Sequence, residues 1–519
     1  MKTLTVRSLM CLACLTVAMA TATAQTDQGQ EKVGEVPKGP AAQQGEVPKG
    51  PAAQQGSQRP QYLDLRYDED WSHIKEVQGP PDFWDPTKYI LLNDRGWYMS
   101  LGGEIRQRYD GWHNAYWGEI CPFPPNCFSS PTSLNASLQR YLFHADTHFG
   151  EHVRAFVQIQ SSLEYGKQGG PWFGDKDVFE IHQAFVDFRS SSDRKNYVNL
   201  RIGRQEIALG ADHFISTGDY FNVRKAFDGA VLTIGRGSWT WLVQATKPVA
   251  LKFGAFDDVP EHGRTAYGGG LFAPNPFTKK GRFGLFYVGL DTKHQLWIRG
   301  LGRDNRHTVG ARLEGMARGW DYTYEALMQL GTFTPVQGPS IGIRAWAVTT
   351  ETAYTFQKLR HYPRIGFVSS FTSGDGGHGS LGTFHPLFPD TAYSGKLGLV
   401  GPSNGYEATP TLRFGLTRRI YVLSEWSFFW RQNTNDGIYT PSVITLPIDT
   451  GITGFIERPG NLSKARYIGN QAGVATAITL DRHFTYVAAY DFFFPGQFLD
   501  QTPPAKKTGL LLMFLNYKF

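Results

Sequence analysis

Beyond its first two dozen residues, this 519-residue chain has no apolar run approaching the ~18 residues a membrane-crossing helix requires. That excludes a helical membrane protein. No Gly-x-Ser-x-Gly elbow, no metal-spaced histidine cluster and no paired-carboxylate motif stands out, so no catalytic residue, metal ligand or cofactor is expected and the chain reads as a non-enzyme. His182, His144 and His148 sit near carboxylates. At ~3.3 Å per residue, however, His144 and His148 would stand ~13 Å apart on a strand, too far to share a metal. Cysteine is scarce, and of its four residues Cys11 and Cys14 fall in the first 24.

What is abundant is glycine, 58 of 519 residues or about 11% against a usual ~7%, together with aromatic residues at 14%. Mean hydropathy is −0.33. Residues 1–24 read as a secretory signal, with Lys2 and Arg7, then an apolar stretch from Leu9 to Ala20, then Ala22-Thr23-Ala24. Removing it would lower the formal net charge from +6 to +4 and leave Cys121 and Cys127, close together in an exported chain, as a candidate disulfide. Residues 25–60 carry the tandem repeat GEVPKGPAAQQ at Gly34–Gln44 and Gly45–Gln55. Two prolines per copy and no apolar seam make this a disordered periplasmic arm rather than a coiled coil. Residues 61–96 are expected to form a periplasmic lead-in and residues 97–519 a membrane domain.

From about Trp97 the sequence alternates with period two. Met99, Leu101 and Ile105 oppose Glu104, Arg106 and Arg108; Tyr141, Phe143 and Ala145 oppose Arg140, His144 and Asp146; Val309, Ala311 and Leu313 oppose Arg312 and Glu314. A soluble sandwich would alternate too, but connection lengths separate the alternatives. Short polar turns are predicted at Gly150–His152, Arg189–Asn196, Gly235–Ser238, Asp291–Lys293, Arg318-Gly319 and Asp481–His483. Between them lie long connections at Gly111–Ser137, Ser162–Val178, Glu206–Lys225, Thr246–Lys280, Thr332–Ser340, Gly374–Glu407 and Arg431–Ala465. One connection, near Arg303-Asp304-Asn305, is short where a long one is due. This regular alternation predicts an all-β, antiparallel transmembrane barrel of about eighteen strands, with periplasmic turns and extracellular loops, in the outer membrane of a bacterium. The chain closes on an apolar row, Leu511, Met513, Leu515, Tyr517 and Phe519. A terminal strand of this kind resembles the signal read by the barrel-assembly machinery, and it must pair with the first strand, since an open edge in lipid leaves backbone groups unsatisfied.

The stretch FEIHQAFVDFRSSSDRKNYVNLRIGRQEIALGADHFISTGDYFNVRKAFDGAVL (Phe179–Leu232), with FTSGD (Phe371–Asp375) and YDFFFPGQFL (Tyr490–Leu499), resembles the alginate export outer-membrane porins, over most of the chain from about Tyr98. The resemblance implies an eighteen-stranded channel passing an acidic polysaccharide. Its partners would be outer-membrane lipid, the polysaccharide or a small anionic solute, and periplasmic export components; nothing points to nucleic acid. A polyuronate carries one carboxylate per sugar, and guanidinium forks suit carboxylates. Arg106, Arg108, Arg140, Arg154, Arg201, Arg312, Arg344, Arg364 and Arg413 are therefore the candidate lumen residues, mixed with Glu104, Asp146, Asp187, Asp228, Glu314, Glu325 and Glu425. Arg204 joins them only if its strand ends or bulges near Gly203, because it shares parity with Val198, Leu200 and Ile202. Two alternatives remain: an uptake porin for small anionic or sugar-derived solutes, and a structural barrel whose loops bind a partner.

Overall fold

The computed structural model describes residues 59–519 apart from 78, 124–125, 173, 210–213, 391–393 and 440–455, and the main chain alone at 121–123 and 126–128. The candidate pair Cys121 and Cys127 lies outside the described side chains. So do the signal and nearly all of the repeat-bearing arm.

Eighteen antiparallel strands, numbered β1–β18, close into one barrel. They are β1 Tyr98–His113, β2 Ser133–Phe149, β3 Val153–Tyr165, β4 Asp177–Arg189, β5 Asn196–Gln205, β6 Phe227–Arg236, β7 Trp239–Ala250, β8 Arg264–Pro274 and β9 Lys280–Trp297. The second half comprises β10 Gly300–Ala317, β11 Trp320–Pro335, β12 Ile341–Thr355, β13 Arg364–Thr372, β14 Gly405–Gly415, β15 Ile420–Arg431, β16 Tyr467–Thr479, β17 Phe484–Pro495 and β18 Thr508–Lys518. Each pairs with its sequence neighbour, and β1 pairs with β18 from Glu104↔Lys518 to His113↔Gly509, which removes the open edge. Phe519 continues the seam by exchanging main-chain hydrogen bonds with Gly103, at 2.9 and 3.0 Å.

Alternation decides the two faces. Ser100, Glu104, Arg106, Arg108 and Asp110 of β1 are buried inside the barrel, while Gln107 and Tyr109 are exposed outside. The outer wall is apolar: Val157, Ile202, Val243, Val309 and Met328 all stand exposed on it, as a lipid-facing surface requires. One end carries turns of two to eight residues; the other carries connections of up to 35 residues.

Two local readings of the sequence fail, and together they cancel in the strand count. Asp291–Lys293 is not a turn. The strand β9 runs through it with a bulge between Thr292 and Gln295, and Asp291 is instead held across the strands by Arg303, 2.8 Å away. Arg303-Asp304-Asn305 accordingly lies within β10, and the tight hairpin falls at Ile298-Arg299. Conversely β8 lies within what reads as one long connection, Thr246–Lys280. Its centre is Gly268-Gly269-Gly270, which carries no side chains and therefore no period. Glycine is required there: a Cβ on Gly268, at φ +159°, would sit 2.1 Å from the Tyr287 carbonyl oxygen.

Candidate functional site

The interior of the barrel is occupied from both ends. At the turn end the chain enters before β1. Leu65 and Tyr67 are buried against Phe156 of β3 and Phe185 of β4, whose rings meet the Tyr67 ring edge-on with centroids 6.1 and 5.5 Å away. The Tyr67 hydroxyl donates to the Glu206 carbonyl oxygen at 2.9 Å. Arg66 donates to the main-chain oxygens of Gly103 (2.7 Å) and Phe519 (2.8 Å), pinning the segment to the seam. The chain then passes to the lip of the barrel, where Trp84 stacks on Phe519 at 4.2 Å and donates to the Tyr517 hydroxyl at 2.6 Å. The stretch expected as a periplasmic lead-in is thus partly a floor within the lumen.

From the loop end the 206–226 connection folds inward. It is the core of the stretch that carries the family resemblance, and its Asp219–Arg224 run meets the wall arginines. Arg106 donates to the carbonyl oxygens of Asp219 (2.8 Å) and Phe221 (2.6 Å), and Arg108 to that of Tyr220 (2.5 Å). Arg140 donates to the Asp219 carboxylate at 2.6 Å, which also has Arg106 at 3.5 Å and Arg224 at 3.7 Å. Burial alone would raise the Asp219 carboxyl, but Arg140, Arg106 and Arg224 override it and hold the group well below the usual carboxylate range. Asn222 reaches three carbonyl oxygens, of Gln139, Leu163 and Asp175, at 2.9–3.1 Å. Glu206 is shared by His182 (2.8 Å) and Arg224 (3.0 Å), so His182 has a structural task.

A second inserted connection, 373–404, begins with the Phe371–Asp375 segment. Its Phe384, Leu387 and Phe388 pack on Phe214, Ile215 and Phe227, so the two inserted loops meet in the lumen. Arg306 holds this loop, donating to the Thr383 carbonyl oxygen at 2.8 Å and to Gln329 at 2.7 Å, while Gln329 donates to the His385 carbonyl oxygen at 2.8 Å.

The ten candidate arginines thus divide into four groups. Arg106, Arg108 and Arg140 face inward and clamp the 206–226 loop, and Arg154 and Arg201 face inward at the floor. Arg154 grips Asp146 through a fork (2.6 and 2.7 Å), and Arg201 grips Asp187 likewise (2.8 and 2.9 Å). Arg312, Arg364 and Arg413 line the opposite wall. Arg312 donates to Glu314 at 2.5 Å, and Arg364 to Asp321 (2.5 Å) and Glu351 (3.1 Å), with Arg413 opposite it in register.

Arg204 and Arg344 do not face the lumen. Arg204 lies in register with Ala184 and Asp228, in the row of Val186 and Ile202, and pairs with Asp228 at 2.9 Å. The strand does not bulge at Gly203, so both Arg204 and Asp228 face outward, near the loop-end rim. Arg344 shares the exposed row of Trp346 and Val348, opposite Leu330. A cation is admissible there because the row approaches the polar rim, where a long side chain reaches water or headgroups.

Sequence reasoning missed Arg66, Arg224 and Arg306. Arg306 was hidden by the misplaced turn at Arg303–Asn305, and the other two lie in segments without period. Among the described residues one carboxylate group could hold a metal: Glu180, Asp257 and Asp258, with oxygens within 4.8 Å of one another at the loop end. They are engaged by main-chain N–H groups and by Arg204, and burial pushes Asp258 up to about 7.

Residues 99–511 match a family model described as alginate export. Among solved structures the chain resembles a BenF-like porin from Pseudomonas fluorescens Pf-5 (TM-score 0.52, 8% identity, 83% of this chain and 99% of that one). It also resembles the outer-membrane protein opdK of Pseudomonas aeruginosa (0.51, 9%, 81% and 98%) and OccAB2 of Acinetobacter baumannii (0.51, 11%, 81% and 98%). At such identities the likeness is one of fold. No curated protein matches the chain.

Proposed function

The chain belongs to the alginate export family, an outer-membrane β-barrel channel by family and fold, and we propose that it passes an anionic polysaccharide of the polyuronate type through an arginine-lined lumen. The observation that carries this reading is how the lumen treats its own carboxylates. Arg154 and Arg201 each take one in a two-pronged fork, and Arg140 and Arg364 take theirs at 2.5–2.6 Å. A uronate presents the same planar group. Exchanging an internal carboxylate for one on the polymer conserves the number of charged hydrogen bonds, so the polymer can bind and leave again. Arg312, Arg364 and Arg413 stand on the wall that the 206–226 loop does not clamp, and we assign them to the path.

The alternative is uptake of small anionic or sugar-derived solutes, as the porin fold would also allow. Arginines spread along the wall at Arg312, Arg364 and Arg413 favour the polymer reading, because a chain of uronates can engage several of them at once. Reversal potentials of purified protein in a salt gradient, with and without polyuronate, test the proposal. Anion preference with polymer-dependent block is expected; cation preference would reject it.

A further inference from the structure

The floor of the lumen is made by the chain's own N-terminal segment, and its chemistry matches that of the polymer assigned above. Residues 60–76 carry five carboxylates, Asp64, Asp68, Glu69, Asp70 and Glu76, against Arg66 and Lys75. This acidic segment lies on a basic surface. Arg154 donates to the Tyr67 carbonyl oxygen at 2.6 Å, Arg224 donates to the Asp64 carbonyl oxygen at 3.1 Å, and the Arg201 guanidinium lies 4.1 Å over the Tyr67 ring. Lys518 takes the Asp64 carboxylate at 2.9 Å, and Arg194 pairs with Asp70.

We propose that Arg154, Arg201 and Arg224 form the turn-end entry site for the polyanion, and that segment 60–76 is a tethered stand-in occupying it until the polymer displaces it. The inference rests on the polyuronate reading.

The contacts explain why the segment can be displaced. Arg154 and Arg224 reach only neutral main-chain oxygens of the segment, and Arg201 meets it through an aromatic face. Beside the Asp146, Asp187 and Glu206 carboxylates that the three already hold, a uronate in place of the segment offers a second charged acceptor, which makes a shorter and stronger hydrogen bond than a main-chain oxygen. The tether favours the segment through a millimolar effective concentration. One free uronate cannot match it, whereas a chain of uronates engages several cations at once. What keeps the segment seated without polymer is its apolar side: Leu65 and Tyr67 against Phe156 and Phe185, with Arg66 fixed to the seam. Tyr67 and Glu206 also join the floor to the inserted loop, so displacement of the segment removes a support of the 206–226 connection.

The test uses the full mature chain reconstituted in bilayers, with folding verified by heat-modifiable migration. Tyr67→Ala removes the apolar seat and should raise potassium chloride conductance several-fold. In Leu65→Cys, a membrane-impermeant maleimide should react slowly until an oligouronate of about ten sugars is added at the turn end, and then about tenfold faster. Monomeric glucuronate at equal carboxylate concentration, and neutral dextran, should leave the rate unchanged. Labelling that the oligomer does not accelerate, or that monomer or dextran accelerates equally, would overturn the inference, as would unaltered conductance in folded Tyr67→Ala. Cation selectivity in wild type and Tyr67→Ala alike would instead overturn the reading beneath it.

Discussion

Replacing Asp219 with asparagine keeps the side chain's shape and removes the one charge that three guanidinium groups share. Arg140 loses a 2.6 Å charged hydrogen bond, and Arg106 and Arg224 lose a neighbouring anion at 3.5 and 3.7 Å. Each keeps other partners: Arg140 retains Glu104, Arg106 the carbonyl oxygens of the loop, and Arg224 Glu206. The loss is therefore about one charge-assisted hydrogen bond plus uncompensated repulsion. Hydrogen bonds to charged groups contribute about 1.5–3 kcal/mol. Because the Asp219 side chain remains 40% exposed, solvent screening pulls the figure toward the lower end, about 1.5–2 kcal/mol. That corresponds to a shift of roughly ten- to thirtyfold in the seated-to-released ratio of the 206–226 loop. Single-channel recordings of Asp219→Asn should show more frequent and larger openings than wild type, with stronger anion preference, since a lumen carboxylate has gone. A folded variant with wild-type conductance and selectivity would refute the assignment of this loop as a charge-held constriction.

Seating of the N-terminal segment should depend on pH through Asp68, which burial pushes up to about 6 even though Arg201 and Arg154 pull it down and Asp187 and Glu69 raise it. The seated form therefore binds the proton more tightly than the free segment. The cost of seating is absent below about pH 4, grows as pH rises to about 6 and then levels off, at about 1–3 kcal/mol for a partly exposed carboxyl. Conductance should fall on acidification across that window, and Asp68→Asn should abolish the dependence. Lys88, pushed down to about 7 by burial, acts only above it. Arg413→Gln should weaken anion preference in reversal-potential measurements while Arg344→Gln leaves it unchanged; equal effects would contradict the facing of β12 and β14. Val309→Arg, on the exposed outer face at mid-strand, should destabilise the barrel by about 2–4 kcal/mol in urea titrations in lipid, unlike a neutral replacement there.

The barrel itself is legible because a period of two leaves little freedom: once Met99 and Leu101 face lipid, Glu104, Arg106 and Arg108 must face inward, and they do. Legibility ends where the period vanishes. Gly268-Gly269-Gly270 concealed β8, and the polar Asp291–Lys293 imitated a turn because the wall there already stands near the loop-end rim, where Asp291 can pair with Arg303. Facing also fails near the rims, where polarity no longer distinguishes lipid from lumen: Arg344 reads as a lumen residue for that reason, whereas the parity of Arg204 with Ile202 already points it outward, and the unbroken register through Gly203 leaves it there. The segments that fill the lumen were not legible at all. The run Asp219–Arg224 and residues 60–76 have no repeat, and their positions are set by distant partners such as Arg140 on β2 and Phe185 on β4.

Passage of the polymer itself tests the central claim most directly. Proteoliposomes loaded with fluorescent polyuronate and, separately, with neutral dextran of equal length should release the polyuronate through the inserted protein and retain the dextran. Retention of both, with Tyr67→Ala and Asp219→Asn folded and conducting, would contradict an anionic-polysaccharide channel, as would equal release of the two.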